Sequence, residues 1–458
     1  MAVADTSTVV TRIWARDASL WTNSGEERWL GWLDEPARMQ SVFPAAIERA
    51  ERVRADGFTD VVLLGMGGSS LAPEVMRCLS GSDSFHVLDT THPAAIMALE
   101  DRLDVARTLF VVASKSGSTL ETRSQLDYFW HRTDERAEAF VAITDPGSNL
   151  ERLARARGFR SLVAGVPAIG GRYSALSPFG IEAAALMEID AGALLARAVE
   201  AAEACRQATD NPGLELGLAL GGGWREGRDK VVINPNPGGF GLWVEQLLAE
   251  STGKQGCGLV PVPDASAHGP DRQEVRVEIA EIADLGYEFF RFEFATAVAG
   301  GILGINPFDQ PDVQAAKDRT TAILAGGGQP QLEPEGSIDE LLAEAEIGDY
   351  VAILAFVAPE AAAAERLAAL REGIAARTGL PTTVGYGPRY LHSTGQLHKG
   401  GPRCGLFVQI VDDPPHLPIP GREFGFRRLI HAQALSDFEA LRESGQRVVR
   451  LRWEELSP

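Results

Sequence analysis

Residues 61–70 read Val-Val-Leu-Leu-Gly-Met-Gly-Gly-Ser-Ser, and this stretch decides the fold. Its four leading apolar residues predict a strand that is buried on both faces of a sheet. The glycines after it allow a tight turn and a close approach to an anion, and Ser69 can cap the following helix. A buried strand that runs through such a turn into a helix is typical of a doubly wound parallel sheet. A connecting turn without any ligand is the alternative.

Short apolar strands alternate with helices along most of the chain. Strands are predicted over 61–64, 85–88, 109–113, 140–144 and 161–164, with helices between them. The pattern restarts with strands over 231–234, 259–262, 274–279, 350–357, 382–385 and 405–411. We therefore predict an α/β fold with two doubly wound, parallel-sheet lobes and extra helical segments. The predicted divisions are a helical lead-in over 1–55, lobes over 56–210 and 211–411, and a C-terminal tail over 412–458.

Composition narrows the functional classes. The 458 residues carry 43 basic and 63 acidic side chains, a net charge of −20, which argues against nucleic acid and anionic membranes as partners. The four cysteines lie far apart in the sequence, which favours free thiols in a reducing compartment over disulfides or a zinc site. The first residues lack the pattern of a secretion signal, and no stretch is apolar enough for a membrane span. We expect a cytoplasmic protein.

A second polar turn follows the strand predicted over 109–113. It reads Ser114-Lys115-Ser116-Gly117-Ser118-Thr119, with five hydroxyl or amine donors in six positions. One serine is enough to cap a helix, so the cluster indicates phosphate recognition at a helix N-terminus. Such local binding is how an acidic protein can hold an anion. A solvated polar loop is the alternative.

Three later segments carry residues suited to proton transfer. Gly170-Gly171-Arg172 holds a cation in a glycine turn, where it can face a developing oxyanion. Gln246 and Glu250 are four residues apart, on one face of a predicted helix. The third segment runs from Asn306 through Gln310 to Lys317. Taken alone, each of these side chains could equally be a solvated surface residue.

The five segments, in this order, resemble those of the phosphoglucose isomerase family, whose flavodoxin-like lobes are sugar isomerase (SIS) domains. The first two resemble phosphate-binding loops found in any SIS domain, and the other three resemble segments of phosphoglucose isomerases. The stretch 385–400 is most similar to the isomerase half of bifunctional transaldolase/phosphoglucose isomerases, although the chain has no predicted transaldolase barrel.

The resemblance implies a glycolytic and gluconeogenic aldose-ketose isomerase that interconverts glucose 6-phosphate and fructose 6-phosphate through a cis-enediol(ate). It implies no cofactor and no metal, and a homodimer. Glu250 would be the base, Arg172 would stabilise the intermediate, and Lys317 would act near the sugar ring. The substrate and its phosphate would be held by Gly67, Gly68, Ser69, Ser114, Lys115, Ser116, Ser118, Thr119, Gln246 and Gln310.

The residue that opens the sugar ring is less clearly marked. The family places a histidine soon after the base glutamate in a Gly-Gln-His context, and His268, the histidine found there, has different neighbours. The segment from His392 to His398 is similar to the family's histidine segment but follows Lys317. We favour His392, with His398, His268 and Lys317 as alternatives. It would reach the site by a rearranged connection or from a neighbouring subunit.

Two other functions fit part of the pattern. A non-catalytic SIS module that senses a sugar phosphate would share the two phosphate loops. An isomerase for a mannose phosphate or an amino sugar phosphate would share all five segments.

Overall fold

The first half of the chain forms one five-stranded parallel sheet. The computed structural model describes residues 6–263, 265, 266 and 268–456. The helices that precede the sheet are α1 (Thr6–Trp14), α2 (Glu35–Val42) and α3 (Pro44–Ala55). The sheet and its crossovers are β1 (Asp60–Gly65), α4 (Leu71–Ser80), β2 (Phe85–Leu88), α5 (Pro93–Glu100), β3 (Thr108–Ala113), α6 (Leu120–Arg132), β4 (Phe140–Thr144), α7 (Asn149–Arg157) and β5 (Ser161–Ala164). The strand order is β2-β1-β3-β4-β5.

The central strands of this sheet are covered on both faces. Every residue of β3 and β4 is buried, and all of β1 except its first residue. The two faces contribute to separate apolar cores, with Leu63 and Val111 in one and Val62 and Phe110 in the other. The continuous apolar runs in the sequence reflect this double burial, and the prediction of an α/β fold built on parallel sheets is confirmed.

Three helices, α8 (Pro178–Leu186), α9 (Ala191–Ala204) and α10 (Pro212–Arg225), lead into the second half. Its elements are β6 (Lys230–Ile233), α11 (Phe240–Thr252), β7 (Val260–Pro261), β8 (Arg272–Val275), α12 (Asp284–Leu303), α13 (Gln314–Ala325), α14 (Ile338–Ala343), β9 (Tyr350–Phe356), α15 (Ala361–Thr378), β10 (Thr382–Tyr386), α16 (Gly395–Gly400), β11 (Gly405–Val411), α17 (Phe426–Glu443) and β12 (Arg447–Arg452). Within the described part of the chain, none of the helices combines the length and apolar character needed to cross a bilayer.

The strands of the second half form two small parallel sheets, ordered β7-β6-β8 and β10-β9-β11-β12. Strand β7 has two residues, and one of them is Pro261. Proline lacks the backbone N–H that hydrogen bonds to a neighbouring strand would need. The two sheets nevertheless share one apolar core, which includes Val260 and Tyr350.

Helix α17 packs against both halves of the protein. Phe426 and Leu429 belong to the core of the first sheet, where the Phe426 and Tyr128 rings are 5.8 Å apart. Ile430 and Ala434 belong to the core of the second half. The segment that the sequence analysis separated as a tail therefore contributes α17 and the strand β12 to these cores.

Helices α10 and α12 approach closely along a row of glycines four residues apart. Gly213, Gly217 and Gly221 all face α12. A Cβ atom at Gly217 would lie 2.5 Å from the Cβ of Val298 and 2.6 Å from the carbonyl oxygen of Ala295. The neighbouring Gly222 faces open space.

This contrast predicts opposite effects of one methyl group on the same helix. Gly217→Ala is expected to lower the free energy of unfolding by about 1–3 kcal/mol, because the helices must separate. Gly222→Ala is expected to raise it by roughly 0.5–1 kcal/mol, because alanine has the higher helix propensity. Urea unfolding of both variants measures the difference, and equal effects would contradict the close packing.

Candidate active site

The glycine turn after β1 is the point at which three other segments meet. Gly67 has φ +56°, and a Cβ atom there would lie 2.7 Å from the carbonyl oxygen of His392 and 2.8 Å from Nε2 of Gln246. A Cβ atom at Gly68 would lie 2.0 Å from the carbonyl oxygen of Gly171. Ser69 is buried in the same turn. The predicted glycine loop therefore lies against the predicted arginine, glutamine and histidine segments.

The second polar loop lies between β3 and α6 and is held by its own hydroxyl groups. Ser114 Oγ accepts from the Gly117 amide at 3.2 Å and lies 3.1 Å from Thr119 Oγ1, while the hydroxyls of Ser116 and Ser118 are 2.9 Å apart. A cavity of about 410 Å³ opens at this loop and is lined by Ser116, Ser118, Thr119, Lys317 and His392, among others. Three of the predicted phosphate-binding hydroxyl residues thus share a cavity with two predicted catalytic residues.

Lys115 points away from this cavity. Its Nζ donates to Asp145 and to the carbonyl oxygens of Val166 at 3.0 Å and Pro167 at 3.4 Å. The ammonium group therefore ties the loop to the segments that follow β4 and β5. The sequence suggested a phosphate contact for this side chain, but its partner Asp145, thirty residues further on, could not be recognised from the local pattern.

Arg172 is 2% exposed and is held by hydrogen bonds from every nitrogen of its guanidinium group. Nε donates to Ser251 Oγ at 2.8 Å, and Nη1 donates to Gln310 Oε1 at 3.0 Å. Nη2 donates to the carbonyl oxygens of Pro307 at 2.8 Å and Asp309 at 2.9 Å. The guanidinium is therefore a fixed cation, and it brings Gln310 into the site.

Glu250 lies beside this cation. One of its carboxylate oxygens, Oε2, is 3.6 Å from Arg172 Nη1 and accepts from Gln246 Nε2 at 3.1 Å. The same nitrogen of Gln246 donates to the carbonyl oxygen of His392 at 2.7 Å. Gln246 and Glu250 share a face of α11, as their spacing predicted, and the helix brings both to the glycine turn.

Lys254 belongs to the same site, although the motifs did not predict a role for it. Its Nζ donates to the carbonyl oxygens of Asn306 at 2.8 Å and of Asp309, and to Asp309 Oδ1 at 2.7 Å. Burial, reinforced by the charge of Arg172, lowers the pKa of Lys254 to about 8. Lys254 and Arg172 therefore hold the loop that carries Gln310. The signal available in the sequence was its place four residues after Glu250.

His392 reaches the cavity within the same chain, on the turn after β10. Its Nε2 lies 2.9 Å from Glu121 Oε1. Burial opposes ionisation of Glu121, but the charge of His392 and its hydrogen bond outweigh this effect, so the pKa of Glu121 lies below its usual value. With an ionised Glu121, Nε2 carries the proton and Nδ1 is the accepting nitrogen of the neutral ring. Glu121 was not predicted as a site residue, because in the sequence it looks like an ordinary acidic residue in the first turn of α6.

The remaining candidates for ring opening lie elsewhere, except for Lys317. His268 is exposed, and its backbone amide donates to Ser266 Oγ at 3.2 Å. His398 is buried 4.9 Å from the ring of Phe407, and burial together with the charge of Lys399 lowers its pKa well below the usual value. Among the residues that the structure describes, no cluster of histidine, cysteine or acidic side chains has the arrangement of a metal site.

The parallel sheets carry a hydroxyl-rich loop at the carboxyl end of a strand, which is where α/β proteins bind their ligands. The family model for phosphoglucose isomerase matches residues 42–224. The glucose-6-phosphate isomerase of Rubrobacter xylanophilus is 29% identical over 64% of this chain and 88% of that protein. The chain is similar to phosphoglucose isomerases over part of its length.

A second relative and a solved structure match other shares of the chain. The glucose-6-phosphate isomerase of Gloeothece citriformis is 33% identical over 56% of this chain, and the match spans about half (51%) of that protein. The crystal structure of a glucose-6-phosphate isomerase from Chlamydia trachomatis covers 69% of this chain and 77% of that chain, with a TM-score of 0.52 and 20% identity. This structural likeness supports the fold.

The lowered pKa of Lys254 predicts a pH dependence of stability. The folded protein holds this pKa at about 8, whereas the ordinary value is 10.5. Between these pH values the unfolded chain binds a proton that the folded protein has released, so this group makes the free energy of unfolding rise with pH. Denaturant unfolding of the wild type and Lys254→Met at about pH 7.5 and about pH 9.5 isolates the effect. The free energy of unfolding of the wild type should rise relative to that of the variant at the higher pH. An equal difference between the two proteins at both pH values would contradict this prediction.

Proposed function

We propose that the chain interconverts glucose 6-phosphate and fructose 6-phosphate by moving a proton between C1 and C2. The observation that carries the proposal is the Glu250 carboxylate beside the buried Arg172 guanidinium, at 3.6 Å. A base next to a fixed cation is suited to making and stabilising an enediolate. The names of the curated relatives support the same reaction.

The phosphate group would bind at the loop before α6. Ser116, Ser118 and Thr119 provide hydroxyl donors at the helix N-terminus, where the helix dipole favours an anion. Lys317 lines the same cavity and supplies a positive charge. This local arrangement can hold a dianion although the protein has a net charge of −20.

Glu250 would remove the proton from C2 of the open-chain aldose and return it to C1. Negative charge then develops on the oxygens at these carbons. Arg172 would stabilise it without moving, because Ser251, Gln310 and the loop carbonyls already fix the guanidinium. Such preorganised donors lower the barrier at no cost of reorganisation during the reaction.

His392 would open the sugar ring. In the neutral imidazole of His392, Nδ1 would accept the proton of the C1 hydroxyl of the sugar. The imidazolium formed would then deliver a proton to the oxygen of the sugar ring. Glu121, 2.9 Å from Nε2, stabilises the cation formed between these two steps. Lys317 lines the same cavity and lies close enough to Glu121 to lower its pKa.

A module that only senses a sugar phosphate needs the phosphate loop but has no use for Glu250 beside Arg172. The same site would also serve an isomerase for a mannose phosphate or an amino sugar phosphate. The choice of glucose 6-phosphate as substrate comes from the family resemblance. A cytoplasmic homodimer is a further expectation from the family.

Replacing the base tests the proposed reaction. Glu250→Gln should lower kcat for fructose 6-phosphate by about 10²–10⁴-fold, because the amide cannot accept the proton, while the substrate still binds. The measurement is a coupled assay for glucose 6-phosphate, run with a chelator present. Glu245→Gln on the same helix is the matched control. Near-normal turnover of Glu250→Gln would remove Glu250 from the mechanism.

A comparison of two substrates tests the ring-opening step. His392→Ala should lower kcat/KM for glucose 6-phosphate by about 10²-fold or more. The second substrate is an acyclic hexose 6-phosphate that lacks the hydroxyls at C4 and C5 and therefore cannot cyclise. For this substrate His392→Ala should leave kcat/KM nearly unchanged. His268→Ala is the control. Equal losses on both substrates, or none, would pass the role to another residue.

A further inference from the structure

Gln433 on α17 occupies a buried position between the two halves of the protein. It is 3% exposed, and both ends of its amide are bound. Nε2 donates to Glu121 Oε1 at 2.7 Å, and Oε1 accepts from the hydroxyl of Thr91 at 2.8 Å. Because a hydroxyl can donate to the amide oxygen and an ionised carboxylate can only accept, these partners fix which way the amide faces.

The same oxygen of Glu121 accepts from His392. Oε1 therefore receives two hydrogen bonds, from His392 Nε2 at 2.9 Å and from Gln433 Nε2 at 2.7 Å. Two donors at one carboxylate oxygen restrict both the rotation of the carboxylate and the line along which the imidazole can approach it. The result is a chain of contacts from Thr91 through Gln433 and Glu121 to His392.

The other charged groups near this chain are bound differently. Asp437, also on α17, accepts from the Tyr390 hydroxyl and from Lys399. Lys317 approaches from α13 and acts on Glu121 through its charge. Gln433 therefore supplies the hydrogen bond from α17 to Glu121.

We propose that Gln433 is a positioning residue for ring opening, which holds Glu121 so that His392 presents Nδ1 to the sugar. The inference rests on the proposed function, and it concerns the ring-opening step rather than the transfer of a proton between C1 and C2. If the Glu121 carboxylate were free to rotate or shift, the imidazole of His392 would be misplaced. Misplacement by about 1 Å can cost on the order of 10²-fold in rate.

The test uses the whole 458-residue chain and the two substrates described above. Gln433→Leu has a similar size and removes both hydrogen bonds. It should lower kcat/KM for glucose 6-phosphate by about 10-fold or more and leave the acyclic substrate nearly unchanged. Thr91→Val frees the amide to rotate and should give a smaller loss of the same kind. It also tests the proposal if Gln433→Leu fails to fold.

The split between kcat and KM distinguishes positioning from a general structural effect. For the cyclic sugar the loss should fall on kcat, because a misplaced imidazole slows ring opening without removing a contact to the phosphate. A general structural defect would slow the cyclic and the acyclic substrate alike. Gln409→Leu is the control, since Gln409 is an equally buried glutamine that bonds Ala434 and Arg450.

The outcomes separate the two proposals. If the wild type converts neither substrate, the proposed function fails. If the wild type is active and Gln433→Leu loses activity equally on both substrates, or on neither, the positioning role is overturned. A Gln409→Leu variant that shows the same selective loss would also overturn it.

Discussion

A guanidinium group with 2% exposure must have its charge and its N–H groups satisfied inside the protein. For Arg172 these partners come from two parts of the chain, namely Ser251 at the end of α11 and the loop 307–310. Lys254 binds the same loop through its amine. Glu250 lies between these two cations in the sequence, and Gln246 connects it to His392. The spacing between His392 and Glu250 therefore depends on one buried cation.

The sequence predicted most of the fold because parallel strands that are buried on both faces leave a simple local pattern. The five strands of the first sheet could be located from their apolar runs, whereas the division of the second half into two sheets depends on a two-residue strand that contains Pro261. The motifs predicted that Arg172, Glu250 and the proposed phosphate loop belong to one site. The pairing of Glu121 with His392 spans 271 residues and leaves no local pattern.

His392 shows how segments that are far apart in the sequence can meet at one turn. The histidine segment comes after Lys317 in the sequence, yet its carbonyl group packs against Gly67 and accepts from Gln246. A loop with no side chain at position 67 makes this approach possible. His392 lines the same cavity as Lys317 within one chain.

Helix α17 completes the core of a sheet whose last strand ends at Ala164. During synthesis the first sheet is finished long before residues 426–432 have been made. At about 5–20 residues per second, synthesis takes on the order of tens of seconds to proceed from β5 to α17. Until then Phe426, Leu429 and Ala432 are missing from this core, so part of its apolar surface lacks its final cover.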